Sequence, residues 1–149
     1  GGGGLDSVMR ARADERGVSD RITWRGACDQ PEVIEAMRAS DLFVLPSRVA
    51  QDGDRDGLPN VLMEAASQRL PILTTAVSAI PEFIENGLHG TLSEDTPDAL
   101  AVAITRLAAD PAGARAMADK ALARLRADFV MEPGIERLSH RLTRLTEGA

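Results

Sequence analysis

"DLFVLPSRVAQDGDRDGLPNVLMEAASQRLPILTT", residues 41–75, decides the fold. It opens on a short apolar run, "DLFVLPS" (41–47), which ends in a proline and reads as a buried strand. A polar loop, "VAQDGDRDG" (49–57), leads to a helix, "LPNVLMEAASQRL" (58–70), with Pro59 in its first turn. "PILTT" (71–75) is the next strand. Strand, loop, helix and strand in that order form a β-α-β unit, and continuous apolar strands belong to a parallel sheet covered on both faces.

The polar loop invites a calcium reading. Asp52, Asp54, Asp56 and Gly57 match the start of an EF-hand loop, whose closing Glu falls at position 63. That position is Met63, and Glu64 is one place late, about 100° further round a helix. Pro59 stands inside the loop, and a strand rather than a helix precedes it. Both features argue against calcium.

The alternation continues outward in both directions. Upstream, "LDSVMRARADERG" is a helix that stops at Gly17, with Leu5, Val8, Met9 and Arg12 at helical spacing. "RITWRG" (21–26) reads as a strand and "PEVIEAMRAS" (31–40) as a short helix. Downstream come a short helix, "AIPEFIENG" (79–87), and a last strand, "GTLS" (90–93). Three amphipathic helices follow. The first carries Leu100, Ala103, Ile104 and Leu107, after Thr96 and Pro97 as cap and first turn. The second carries Ala114, Met117, Ala121, Leu125 and Phe129, and the third Ile135, Leu138, Leu142 and Leu145. The expected core includes Ile22, Trp24, Leu42, Val44, Ile72 and Leu73. Gly1–Gly4 reads as a cloning scar, a linker, or the turn between a strand and the first helix; the helix that follows favours the last.

At 149 residues and 44% hydrophobic content the chain has one domain's worth of sequence, read here as 1–149. A net charge of −6 argues against a general nucleic-acid or anionic-membrane surface. No Tyr, one Trp and three Phe leave no stacking platform for single-stranded nucleic acid. No apolar run approaches the roughly 20 residues of a membrane span. One cysteine, Cys28, forms no internal disulfide, which suits a cytoplasmic setting. Cys28, His89 and His140 are too few soft ligands for a zinc site.

In such sheets ligands bind outside the carboxyl ends of the strands. Two loops reach that edge, "PSRVAQDGDRDGLPN" and "TTAVSAIPE". The first ends at a helix N-terminus, whose free amides and dipole favour an anion. Asp56 stands beside that terminus, and Glu64 lies about five residues along the helix, roughly 7.5 Å. Carboxylates accept well from sugar diols. A sugar, a diphosphate and a ribose in line, as in a nucleotide sugar, fit this layout. Arg48 and Arg55 could reach phosphate, but in an acidic loop local ion pairs are the commoner use. Ser47 suits a turn as well as a ligand contact. His89 sits between two glycines with no second metal ligand nearby, and His140 lies on an amphipathic helix; both read as structural.

The ordered set "DLFVLPS", "DGLPNVLMEAASQRLPILTT", "IPEFIENGLHGTL" and "DALAVAITRLAADP" resembles the C-terminal, donor-binding domain of retaining glycosyltransferases of the GT-B fold, family 4. The likeness runs over nearly the whole chain. It implies an α/β, Rossmann-like parallel sheet flanked by helices, the C-terminal half of a GT-B fold with its first strands missing. The family's E-x7-E signature falls on Asp56 and Glu64. Glu64 is then implied to accept from the ribose hydroxyls and Asp56 to hold the transferred sugar, with Gly57, Leu58 and Asn60 lending amides to the diphosphate. The loop from Gly26 to Asp29 would border the base. The donor is implied to be a nucleotide-diphosphate sugar used without a metal or other cofactor, and the acceptor a glycan or lipid-linked sugar in polysaccharide biosynthesis. The partner domain is an N-terminal GT-B half, and the full-length protein is expected at the cytoplasmic membrane face as a peripheral enzyme. Asp56 is a methylene shorter than the family's Glu, Pro59 has no N–H to offer, and Arg69 stands where a glycine is usual. The family's diphosphate-neutralising Arg and Lys come from segments outside these residues. Two lost charge-assisted partners weaken donor binding by roughly 3–6 kcal/mol, so the chain alone is expected to bind weakly and not turn over. A non-catalytic, doubly wound regulatory or nucleotide-binding module is the alternative from a different class.

Overall fold

The computed structural model describes residues 4–49 and 57–129. They fall into two compact units, one ending at Ala36 and one beginning at Met37.

In the first unit, α1 (Asp6–Glu15) closes as its sequence predicts. Gly17 takes φ 63°, its N–H bonds the Asp14 carbonyl, and the Val18 N–H bonds the Ala13 carbonyl, both at 3.0 Å. This is the left-handed C-terminal turn that glycine adopts at little cost. The Ser19 hydroxyl donates to the Asp14 carboxylate, and a 3-10 turn spans Ser19–Arg21. The next helix, α2 (Gln30–Arg38), begins with a reciprocal cap. Asp29 accepts from the Glu32 N–H at 2.9 Å, and Glu32 accepts from the Asp29 N–H at 2.8 Å.

Two expectations fail in this unit. Residues 21–26 form no strand: Arg21 ends the 3-10 turn, and 22–26 join no ladder among the described residues. The alternation of Ile22 and Trp24 with polar neighbours suits a strand, but a strand exists only where a partner takes its backbone groups. Ile22 is 38% and Trp24 37% exposed, not buried. The Trp24 ring instead lies under the Arg10 guanidinium, 4.9 Å from its centroid. Leu5, Val8 and Met9 are likewise exposed, and α1 buries Ala13 instead.

The second unit holds the sheet. Strands β1 (Phe43–Leu45), β2 (Ile72–Thr75) and β3 (Thr91–Ser93) lie in that spatial order, all parallel. Phe43 pairs with Ile72 and Leu45 with Thr74; Leu73 pairs with Thr91 and Thr75 with Ser93. β2 is central and buried throughout. β1 has a paired neighbour on one side only among the described residues, and its Val44, expected in the core, is 37% exposed; Leu42 is half-buried. The crossover from β1 to β2 is α3 (Asn60–Ser67), and α4 (Ile80–Phe83) lies between β2 and β3. The long helices α5 (Pro97–Ala109) and α6 (Pro111–Asp128) follow. Leu73, Ala103, Leu107 and Ala114 pack together as a core cluster. α3 packs on α6, each with alanines on its buried side: Ala65 and Ala66, Ala114, Ala118 and Ala121. Phe83 meets Phe129 edge to face at 4.9 Å. The helix expected around Ile135, Leu138, Leu142 and Leu145 lies outside the described residues. No helix among the described residues is long and apolar enough to cross a membrane.

Candidate functional site

Apolar runs stop and hydroxyls begin at the carboxyl edge of the sheet. β1 and β2 leave it by the same tight turn, Ser47 N–H to the Leu45 carbonyl and Val77 N–H to the Thr75 carbonyl, both at 3.0 Å. The last backbone pair between them is Leu45 with Thr74. Side chains carry the pairing further. The Thr74 hydroxyl donates to the Leu45 carbonyl at 2.8 Å, and the Thr75 hydroxyl to the Ser47 carbonyl at 2.6 Å. Arg48, a possible phosphate contact by sequence, is engaged elsewhere. Its Nη2 donates to the Asp95 carbonyl at 2.6 Å, and its Nε lies 3.1 Å from the Asp95 carboxylate. Ser47 serves the turn. After β2, Ser78 takes φ 51°, which bends the chain into α4.

The loop after β1 returns at Gly57 and enters α3. Gly57 is exposed, Leu58 half-buried and Asn60 exposed. Pro59 stands at the N-cap and has no side-chain acceptor to cap the helix start. Polar groups on a ligand could meet the first amides there, where the dipole favours negative charge. Asn60 and Glu64, four residues apart, share a helix face, opposite the side that buries Leu62, Ala65 and Ala66. Glu64 is half-buried. Gly57 and Leu58 thus lead into the helix that carries Asn60 and Glu64. Asp56, Asp52, Asp54 and Arg55 lie outside the described residues. Chemically, amides suited to an anion stand one turn from a carboxylate suited to a diol. The described residues hold no cluster of three or more His, Cys, Asp or Glu able to bind a metal. A groove of about 890 Å³ runs along β3, α5 and α6, and none of these four residues lines it.

His89 has a structural task, as its isolation suggested. Its Nδ1 accepts from the Glu85 N–H at 3.3 Å and faces Arg124 Nη1 at 3.2 Å, so the neutral ring carries its proton on Nε2. Arg124 Nη2 donates to the Glu82 carbonyl at 2.8 Å. Burial first, and Arg124 second, lower the His89 pKa from its ordinary value. Sequence reasoning did not single out Thr74 and Thr75. Their only signal was a pair of hydroxyls closing the apolar run of "ILTT".

Residues 1–110 match the family model of glycosyl transferases group 1. The chain belongs to this family. Among curated members it is 32% identical, over 97% of its length, to the amylovoran biosynthesis glycosyltransferase AmsK of Erwinia amylovora, covering 36% of that protein. Among solved structures, sucrose-phosphate synthase from Thermosynechococcus elongatus superposes with a TM-score of 0.81 at 26% identity, covering 96% of this chain and 35% of that one. HepE of Anabaena in complex with UDP superposes at 0.80 and 20% identity, covering 93% and 36%. The chain therefore spans about a third of the length of each of these proteins. Its parallel sheet and flanking helices have the Rossmann-like architecture of GT-B C-terminal domains.

Proposed function

We propose that this chain is the donor-binding part of a retaining, family 4 hexosyltransferase of polysaccharide biosynthesis. The observation that carries the proposal is that Gly57 and Leu58 lead into the start of α3, which carries Asn60 and, one turn on, Glu64, in a parallel-sheet group 1 glycosyltransferase. A nucleotide-diphosphate sugar would lay its diphosphate against the α3 amides, and Glu64 would accept from its ribose hydroxyls. Asp56 would hold hydroxyls of the transferred sugar and resist its rotation while the glycosidic bond to the leaving phosphate breaks. Transfer with retention means the acceptor oxygen enters on the face the diphosphate leaves. In this reading charge on the leaving diphosphate is stabilised by amides and basic side chains, without a metal. The acceptor, a glycan or lipid-linked sugar, would be presented by an N-terminal GT-B half, with the full enzyme cytoplasmic and peripheral to the membrane. The group 1 match and the likeness to HepE, a UDP complex, support a nucleotide donor over a purely regulatory module.

Isothermal titration of the chain with UDP and with GDP tests this reading. Saturable binding in the millimolar range or tighter to one of them is expected. Heats indistinguishable from dilution for both would remove the donor-site assignment.

A further inference from the structure

We propose that Thr75 is a positioning residue for the donor site, through a clamp that fixes the backbone leaving β1. The inference rests on the donor-site reading above. The β1–β2 ladder ends at Leu45 and Thr74, and Pro46 and Ser47 run on past it at the carboxyl edge of the sheet, where the donor-site reading puts the ligand. Thr75 is the residue that extends the pairing. Its side chain is buried, and its hydroxyl donates to the Ser47 carbonyl at 2.6 Å, two residues past the last strand residue of β1. Because Thr75 also pairs with Ser93, its own backbone is fixed by β3. The hydroxyl therefore ties Pro46–Ser47 to the central strand rather than to another loop. Arg48 ties the next residue to the segment that follows β3, through the Asp95 carbonyl and carboxylate. These contacts tie residues 46–48 to the segments at the ends of β2 and β3, at the edge where a phosphate or sugar would approach in the donor-site reading. Thr75 touches no ligand in this account; it acts through the Ser47 carbonyl.

Removing the hydroxyl while keeping the side-chain volume leaves that carbonyl unsatisfied and frees the turn. The test uses the full 149-residue chain with UDP and GDP as probes, read by the movement of the Gly57, Leu58 and Asn60 amide resonances, with melting temperature measured alongside. Thr75→Val is expected to weaken nucleotide binding about five- to twentyfold, and Thr75→Ser, which keeps the hydroxyl, to restore it to within about twofold. A role confined to stability would lower the melting temperature of Thr75→Val and leave its affinity at the parent's value, and that result overturns the proposal. Should Thr75→Val fail to fold, Arg48→Gln carries the test, since its side chain is exposed; affinity equal to the parent's in that variant also overturns the clamp. A parent chain that binds neither nucleotide sinks the donor-site reading itself, and the clamp with it. Parent binding with unaltered variants sinks the clamp alone.

Discussion

Gly90 has no room for a side chain. A Cβ built there would lie 2.9 Å from the Ile72 carbonyl oxygen and 3.2 Å from the Ile84 Cγ2. The first of these is backbone of the central strand and cannot step aside. Gly90→Ala is expected to cost about 1–3 kcal/mol, measured as a lower urea midpoint at unchanged slope. His89, one residue earlier, sets a pH dependence. Its pKa in the fold lies below the ordinary 6.5, so between those values the unfolded chain binds a proton that the folded chain refuses. Stability therefore rises with pH up to about 6.5 and no longer depends on this group above it. The melting temperature should fall on acidification below that value, and fall less in His89→Gln; equal slopes in the two proteins would contradict it. In sequence His89 has no second His or Cys nearby, but nothing there shows that it meets Arg124, thirty-five residues away. The same distance in sequence hid the partners of Arg48 and Thr75, which lie forty-seven and twenty-eight residues away.

Helix ends were the most legible elements where the cap is local. Gly17 closes α1, and Thr96 accepts from the Ala99 N–H at 3.3 Å to open α5, both readable from residue type. The Asp29–Glu32 cap has the spacing of a capping box but was not read from the sequence. Asp110 does double duty: it ends α5 and opens α6, where its carboxylate accepts from the Gly113 N–H at 2.9 Å. Asp110→Ala should destabilise the fold by about 0.5–2 kcal/mol and Asp110→Asn by less, as seen in chemical denaturation. At the end of α3, Arg69 occupies the left-handed turn at φ 57°, a conformation that glycine adopts at less cost. Its Nε donates to Asp119 of α6 at 2.7 Å, which joins the two helices across their shared face. Both groups are about half exposed, so Asp119→Ala should cost less than about 1 kcal/mol. Strands were legible where apolar runs meet a neighbour. β1, β2 and β3 all fall within the expected runs; β1 is two residues shorter at each end, and β2 and β3 each start one residue later. The run at 21–26 has the right alternation and no ladder, because pattern fixes which faces a strand would have and not whether a partner strand is beside it.

For the chain as a whole, the β-α alternation and the parallel order were readable because each crossover needs a helix between parallel strands. The buried centre, Ile72 and Leu73, followed from position in that order, whereas Val44 failed because β1 has a neighbour on one side only among the described residues. The candidate site was legible as a helix start with a carboxylate one turn on. The central claim is that this helix start, with Glu64, receives a nucleoside diphosphate. The measurement that addresses it most directly is a titration of the isotope-labelled chain with UDP and GDP, in parallel with Glu64→Ala, followed by amide resonances. The account predicts saturable shifts centred on Gly57, Leu58 and Asn60, and a loss of affinity of roughly ten- to a hundredfold when Glu64 can no longer accept from the ribose. Shifts centred instead on the β3–α5–α6 groove, or affinity that Glu64→Ala leaves unchanged, would contradict it.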